Sequence, residues 1–312
     1  MDQSTTGTGY RSGFAAIVGK PNVGKSTLLN AYLGQKVAIV SDKPQTTRVR
    51  QLGILTRPDA QVIFVDTPGI HRPLHKLGQA MVESATHALG DADVVVFLCD
   101  VSELPTGEDR QISDLIHQEV GERPVVLALN KMDRLPPDKV QKHTEAYWAL
   151  LSGEHKLEWD WMMLSATTGD NRDKLLEMIV ARLPEGPMYY PEDQVTDRTE
   201  REVAADLIRE QVLRSARQEV PHAVAVVVEQ WEKRRSGAVH IGATIYVERD
   251  SQKGIIIGKG GAMLKKIGAA ARREIERLTG STVYLELWVK VRKEWRTKDE
   301  DLSEMGYVER GA

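Results

Sequence analysis

Apolar residues in the first half of the chain fall into short unbroken runs: Phe14–Val18, Val62–Val65, Val94–Cys99, Val125–Leu129 and Trp161–Leu164. Between them lie Ser26–Leu33, Lys76–Leu89, Asp109–Glu119, Lys139–Leu151 and Arg172–Leu183, where apolar positions recur at helical spacing. Continuous apolar strands alternating with helices predict a mostly parallel sheet covered on both faces, an α/β domain.

The pattern changes at Leu183-Pro-Glu-Gly-Pro-Met-Tyr-Tyr-Pro191, where three prolines and a glycine in nine residues cannot continue a helix. Beyond it a helix is predicted over Arg198–Gln218, strands over Ala223–Trp231 and Val239–Arg249, a glycine loop, a helix over Met263–Leu278 and a strand over Thr282–Val291. Ala243, Ile245 and Val247 share one strand face, opposite Thr244 and Tyr246. The expected organisation is an α/β domain over 1–184, a linker over 185–197, an α+β module over 198–298 and a loosely ordered acidic tail over 299–312. No internal repeat or low-complexity tract interrupts it.

Composition refines this picture. The 312 residues are enough for two domains with real cores. The single cysteine, Cys99, excludes an intramolecular disulfide and a cysteine-based zinc site, which fits a reducing cytoplasm. It ends an apolar strand and is expected in the core. The polar start, Met1–Gly13, does not read as a secretory signal, and no apolar run approaches the ~20 residues that span a bilayer. The formal charge of −3 argues against a nucleic-acid partner until it is divided. Residues 231–298 carry 16 Lys/Arg against 7 Asp/Glu, a net of +9, and the remainder sums to −12. A basic C-terminal module sits on an acidic remainder, and the inference reverses.

Gly19-Lys-Pro-Asn-Val-Gly-Lys25-Ser26 fits G-x-x-x-x-G-K-[ST] between an apolar strand and a helix, the context of a phosphate-binding loop. Glycines let backbone N–H groups turn onto phosphates, and the helix N-terminus favours anions. Gly19, Asn22, Val23, Gly24, Lys25, Ser26 and Thr27 are therefore assigned to the nucleotide phosphates. Lys25 reaches the β- and γ-phosphates, and the Ser26 hydroxyl suits Mg²⁺. Asp66-Thr-Pro-Gly69 ends a second strand; its carboxylate suits a Mg²⁺ contact through water, and the Gly69 N–H the γ-phosphate. Asn130-Lys-Met-Asp133 ends a third, where the Asp133 carboxylate can accept from guanine N1–H and N2–H₂, a pair adenine lacks. Lys131 can lie over the base and Asn130 can brace the loop. Ser165-Ala166-Thr167 ends the last strand, where a backbone N–H can donate to guanine O6.

In order and spacing these pieces resemble the translation-factor-related P-loop GTPases. The resemblance implies GTP and GDP as ligands and Mg²⁺ as cofactor, held by Ser26, Asp66 and a first-switch threonine before Arg48. That threonine maps to Thr47, with Thr46 its rival. Ile70 follows the DTPG sequence where Ras-like enzymes have glutamine, which implies slow unassisted hydrolysis. Asn22 resembles the asparagine of potassium-dependent members, which implies a K⁺. Catalysis would then fall to Lys25, Thr47, Asn22 and Gly69.

Gly258-Lys259-Gly260-Gly261 fits G-x-x-G after Ile255-Ile256-Ile257, which is expected to form an apolar edge beneath bases. It opens an amphipathic helix with Leu264, Ile267, Ala271, Ile275 and Leu278 on one face. Lys259, Lys265, Lys266 and Arg273 add positive charge. The arrangement resembles a type II KH domain, whose loop clamps about four single-stranded nucleotides.

A P-loop GTPase domain with these motifs, followed by a type II KH module, resembles the Era family of GTPases over residues 13–298. The resemblance implies binding to the 3′ region of small-subunit ribosomal RNA, a role in small ribosomal subunit maturation, a monomer, and a cytoplasmic location with peripheral association at the inner membrane face. Two rival readings stand beside it: a GTPase assisting tRNA modification, which would need a C-terminal reactive cysteine or cofactor site, whereas the single cysteine is Cys99, and a passive RNA-binding protein, against which Lys25, Ser26, Asp66 and Asp133 argue. Trp288 and Trp295 are expected in core or rim packing. His71 and His75 are separated by Pro73 and are not expected to bind metal.

Overall fold

The first four apolar runs become the inner strands of a six-stranded sheet, and Trp161–Leu164 becomes one of its edges. In the computed structural model, which describes residues 9–308 except 42, 44–45, 71–74, 152–158, 217–222 and 236, the chain divides into two units. The first comprises Met1–Val37, Thr47–Arg72 and Met81–Asp197; the second comprises Ala38–Thr46, Pro73–Ala80 and Arg198–Ala312.

The sheet of the first unit has the order β2-β3-β1-β4-β5-β6. Its strands are β1 (Arg11–Val18), β2 (Gln51–Thr56), β3 (Ala60–Asp66), β4 (Val94–Asp100), β5 (Val125–Asn130) and β6 (Asp160–Met163). Strands β3, β4 and β5 are buried along their whole length, as strands covered on both faces must be. Helices α1 (Lys25–Leu33), α3 (Gly107–Glu119), α4 (Val140–Leu151) and α5 (Arg172–Val180) belong to this unit, and α2 (Lys76–Asp91) begins in the second unit's short segment. Cys99 is fully buried, and burial pushes its thiol pKa well up.

Strand β2 is not among the apolar runs. It alternates, pairs antiparallel with β3 at the sheet edge, and buries Leu52 and Ile54. Gly53 lets it close on α1: a Cβ there would lie 2.4 Å from Leu29 Cδ1. The proline-rich segment after Leu183 has no helix or strand yet is stitched to the first unit. Ser12 Oγ donates to Pro187 O (2.6 Å), the Tyr189 and Tyr190 amides donate to Gln61 Oε1, and Ile54 N donates to Val195 O.

The second unit holds α6 (Glu200–Ser215), β7 (Ala225–Lys233), β8 (Val239–Val247), α7 (Asp250–Ile257), α8 (Ala262–Thr279), β9 (Val283–Val291) and α9 (Asp299–Glu304). Its sheet runs β7-β8-β9, with β8 antiparallel to β7 and parallel to β9. Helices α6, α7 and α8 close one face over a core that includes Leu207, Ile241, Ile245, Ile267 and Ile275.

Two expectations are corrected here. The Ile255–Ile257 stretch is the end of helix α7, not an apolar edge, so its side chains follow a helical period: Ile256 is 1% exposed in the core and Ile255 is 46% exposed. The described residues after 298, 299–308, are not loose. Helix α9 buries Leu302, Arg292 pairs with Asp301 and Glu304 (both 2.6 Å), and buried Trp295 stacks on Tyr307.

Candidate nucleotide site and RNA-binding loop

Four sequence motifs occupy the carboxyl ends of β1, β3, β5 and β6, where parallel α/β sheets place their ligands. The loop after β1 feeds directly into α1, so the first amides of that helix are those of the phosphate loop. Lys25 is 6% exposed, and its Nζ donates to the carbonyls of Gly19 (2.9 Å) and Lys20 (3.1 Å), inside the loop. Burial lowers its pKa to about 8, with the Asp66 charge opposing. Gly24 sits at φ +108, and a Cβ there would lie 2.3 Å from Asn130 Nδ2. Glycine is needed at this contact, because Asn130 donates to Val23 O (2.7 Å) and accepts from Ala166 N (2.9 Å). Asn130 thereby ties the phosphate loop to the Ser165–Thr167 turn. Asn22 is exposed at the loop tip with left-handed backbone, φ +66.

Three oxygens from distant parts of the chain converge beside Lys25. Ser26 Oγ and Thr47 Oγ1 lie 3.1 Å apart, and each donates to Asp66 Oδ2 at 3.1 Å. Thr47, not Thr46, supplies the hydroxyl in this cluster. The other Asp66 oxygen, Oδ1, is buried without a hydrogen-bond partner. Burial raises the Asp66 pKa, opposed by the Lys25 charge and by hydrogen bonds from Gln51, Ser26 and Thr47. A buried carboxylate with an unpartnered oxygen, two hydroxyls and no nitrogen or sulfur donor is a ligand set for a hard divalent cation, so these residues fit Mg²⁺.

Asp133 is exposed after β5, and Arg134 Nε is 3.9 Å from it. Lys131 adopts φ +65, and its Nζ donates to Asp100 Oδ2 at 2.5 Å. Against burial, which raises it, that bond and those from Ser102 hold the Asp100 pKa below the usual carboxylate value. Ile70 is buried at 7% exposure, so no polar side chain stands at that position. A Cβ on Gly69 would lie 2.8 Å from Pro21, which brings the DTPG turn against the phosphate loop. Thr27 lies in the first turn of α1.

In the second unit, Gly258, Gly260 and Gly261 have φ +71, +58 and +80, the left-handed region that favours glycine. No atom approaches a Cβ built on Gly260 or Gly261 within 4 Å, so a ligand backbone can approach the chain directly. Lys259, Lys265, Lys266 and Arg273 are exposed around this loop and the first turns of α8.

A family model described as 50S ribosome-binding GTPase matches residues 14–131, and a KH domain model matches residues 219–296. The chain is 47% identical to a GTPase Era of Heliobacterium modesticaldum over 300 residues, 96% of this chain and 98% of that one. It belongs to the Era family of GTPases. Era in complex with MgGDPNP and nucleotides 1506–1542 of 16S ribosomal RNA superposes with a TM-score of 0.89, at 40% identity over 96% of this chain and 99% of that one. A variant of Aquifex aeolicus Era bound to GDP and aluminium fluoride gives 0.86 at the same identity and coverage.

Within this Era chain, sequence reasoning missed two supports of the site. Gln51 Nε2 donates to Asp66 Oδ2 at 3.1 Å, because β2 pairs Gln51 with Asp66 across the sheet edge. Lys20 Nζ pairs with buried Asp109 at 3.0 Å and so anchors the phosphate loop to α3. Neither has a local signal; both follow from which elements become neighbours. Gln45 and His71 lie outside the described residues.

Proposed function

We propose that this protein is a GTP-hydrolysing switch that binds the 3′ region of small-subunit ribosomal RNA through its KH module and assists maturation of the small ribosomal subunit. The observation that carries this reading is the union, in one chain, of the Ser26–Thr47–Asp66 cluster beside Lys25 with the Gly258–Gly261 loop. The likeness to an Era bound to a 16S RNA fragment supports the choice of RNA.

Water attacks the γ-phosphate. Lys25 and the loop amides balance the charge that spreads over the phosphoryl oxygens. Ser26, Thr47 and Asp66 would hold Mg²⁺, which neutralises phosphate charge when bound. Gly69 donates its N–H to the γ-phosphate. Lys131 and Asp133 hold the base, Asn130 braces the phosphate loop against the Ser165–Thr167 turn, and that turn lies at guanine O6. With Ile70 buried and no side-chain base at that position, unassisted turnover is slow. Asn22 at the exposed loop tip supports K⁺ stimulation.

The domain boundary is placed after Pro184, with 185–197 as connector, 198–298 as the KH module and 299–312 as an acidic tail. On resemblance alone the protein is a cytoplasmic monomer with peripheral association at the inner membrane face. No helix among the described residues is long and apolar enough to cross a membrane. GTP makes the protein competent for RNA and hydrolysis releases it. The test is kcat for GTP with and without K⁺ and RNA: K⁺ and RNA should each raise a low basal rate. No turnover under any combination would favour a passive RNA binder.

A further inference from the structure

The helices of the KH module cover one face of its three-stranded sheet and leave part of the other open. On the open face Tyr284 and Trp288 of β9 stand in register beside His240 and Thr244 of β8. Tyr284 is 54% exposed and Trp288 is 42% exposed. Both rings are held in place. His240 stacks on Tyr284 with centroids 5.4 Å apart, and the Arg234 guanidinium lies 5.6 Å from the centre of that ring. Trp288 is the register partner of fully buried Thr244 and lies against Gly242, where a Cβ would meet the indole at 3.1 Å.

The charge around these rings suits phosphate. Arg234 and Arg235 are exposed just past the end of β7 and make no ion pair among the described residues, whereas Lys233 shares the face of its register partner Val239, the helix side. Of the carboxylates on this face, Glu286 faces His240 Nε2 at 3.5 Å, Glu229 meets Lys290 at 3.7 Å and the Tyr246 hydroxyl at 3.2 Å, and exposed Glu232 stands in register with His240 as one negative charge among the cations. The two rings are four strand residues apart, about 13 Å along β9. Charges flank them, so the face lacks the contiguous apolar centre of a protein interface.

Continuity with the glycine loop is built into β9. It is an edge strand, and its alternation puts Leu287 on the helix side and Trp288 on the open side. Gly268 of α8, the helix opened by Gly258–Gly261, admits Leu287: a Cβ there would be 3.3 Å from Leu287 Cδ1. An RNA strand lying along the α8–β9 edge reaches Trp288 by crossing one strand.

We propose that this open sheet face is a second single-stranded RNA contact. Trp288 and Tyr284 stack on bases that flank the nucleotides clamped at Gly258–Gly261, and Arg234 and Arg235 take their phosphates. The proposal rests on the KH reading above and extends it from a loop to a wrapped strand.

The test uses the full chain, the 16S fragment 1506–1542 and a series of RNAs trimmed from it at each end, with affinity read by fluorescence anisotropy. Tyr284→Ala and Trp288→Ala should each weaken the longest RNA about tenfold. The shortest RNA that still binds should be unaffected. Trp288→Phe should recover most of the loss, which separates stacking from misfolding. Replacing Arg234 and Arg235 by serine should lower the slope of log affinity against log salt by about 1.4. Wild-type affinity of both alanine variants for every RNA would overturn the proposal and return the face to a protein partner. If the unmodified protein bound none of the RNAs, the KH reading would fall, and this one with it.

Discussion

On the proposed reading, Asp133 selects the base with its two carboxylate oxygens. The left-handed backbone at Lys131 turns the chain after β5 and brings Asp133 to the surface with its side chain 25% exposed. Asp133→Asn replaces one acceptor with a donor, so GTP affinity should fall about 10²-fold or more while xanthosine triphosphate gains. Unchanged GTP affinity in a competition assay would remove the guanine assignment. Gln51 acts one layer further out, through Asp66. Gln51→Leu should raise the Mg²⁺ needed for half-maximal hydrolysis about 10–100-fold, with little change in Mg²⁺-free GDP binding. Asp133 was legible in the sequence because its motif is contiguous. Gln51 was not, because its partner is fixed only when β2 takes its register on β3. The choice between Thr46 and Thr47 was likewise open until the fold brought Thr47 to Ser26.

Most elements of both units were legible, since long apolar periods survive in any reading frame of the chain. Strand β1 extends back to Arg11 and α6 ends at Ser215, shifts of a few residues from the periodic signal. The failures share a cause. In β2 and α7 the apolar pattern is too short to show its period, and tertiary packing decides: β2 pairs at a sheet edge, and α7 buries Ile256. The correction at α7 matters for function. It makes the glycine loop a helix–helix junction with three residues at positive φ, rather than the continuation of an apolar edge. Gly260 has open space around it and φ +58, a region that aspartate tolerates better than most residues. Gly260→Asp should therefore leave the thermal midpoint and GTP affinity unchanged while RNA binding is lost to the added negative charge. Joint loss of both affinities would point to misfolding instead.

At the scale of the whole molecule, the charge of −3 is a sum of opposites. The +9 carried by residues 231–298 gives RNA a place to bind, and the acidic remainder repels it elsewhere. Binding should accordingly weaken steeply with salt, and the KH module should lead the encounter. The union of this basic module with a guanine-nucleotide site is the central claim, and one measurement reaches it most directly: crosslinking the protein to RNA in cells and sequencing the fragments attached to it. The predicted result is enrichment of the 3′ region of small-subunit ribosomal RNA, lost in the Gly260→Asp variant. Fragments from unrelated RNAs, or the same enrichment with and without that substitution, would contradict it.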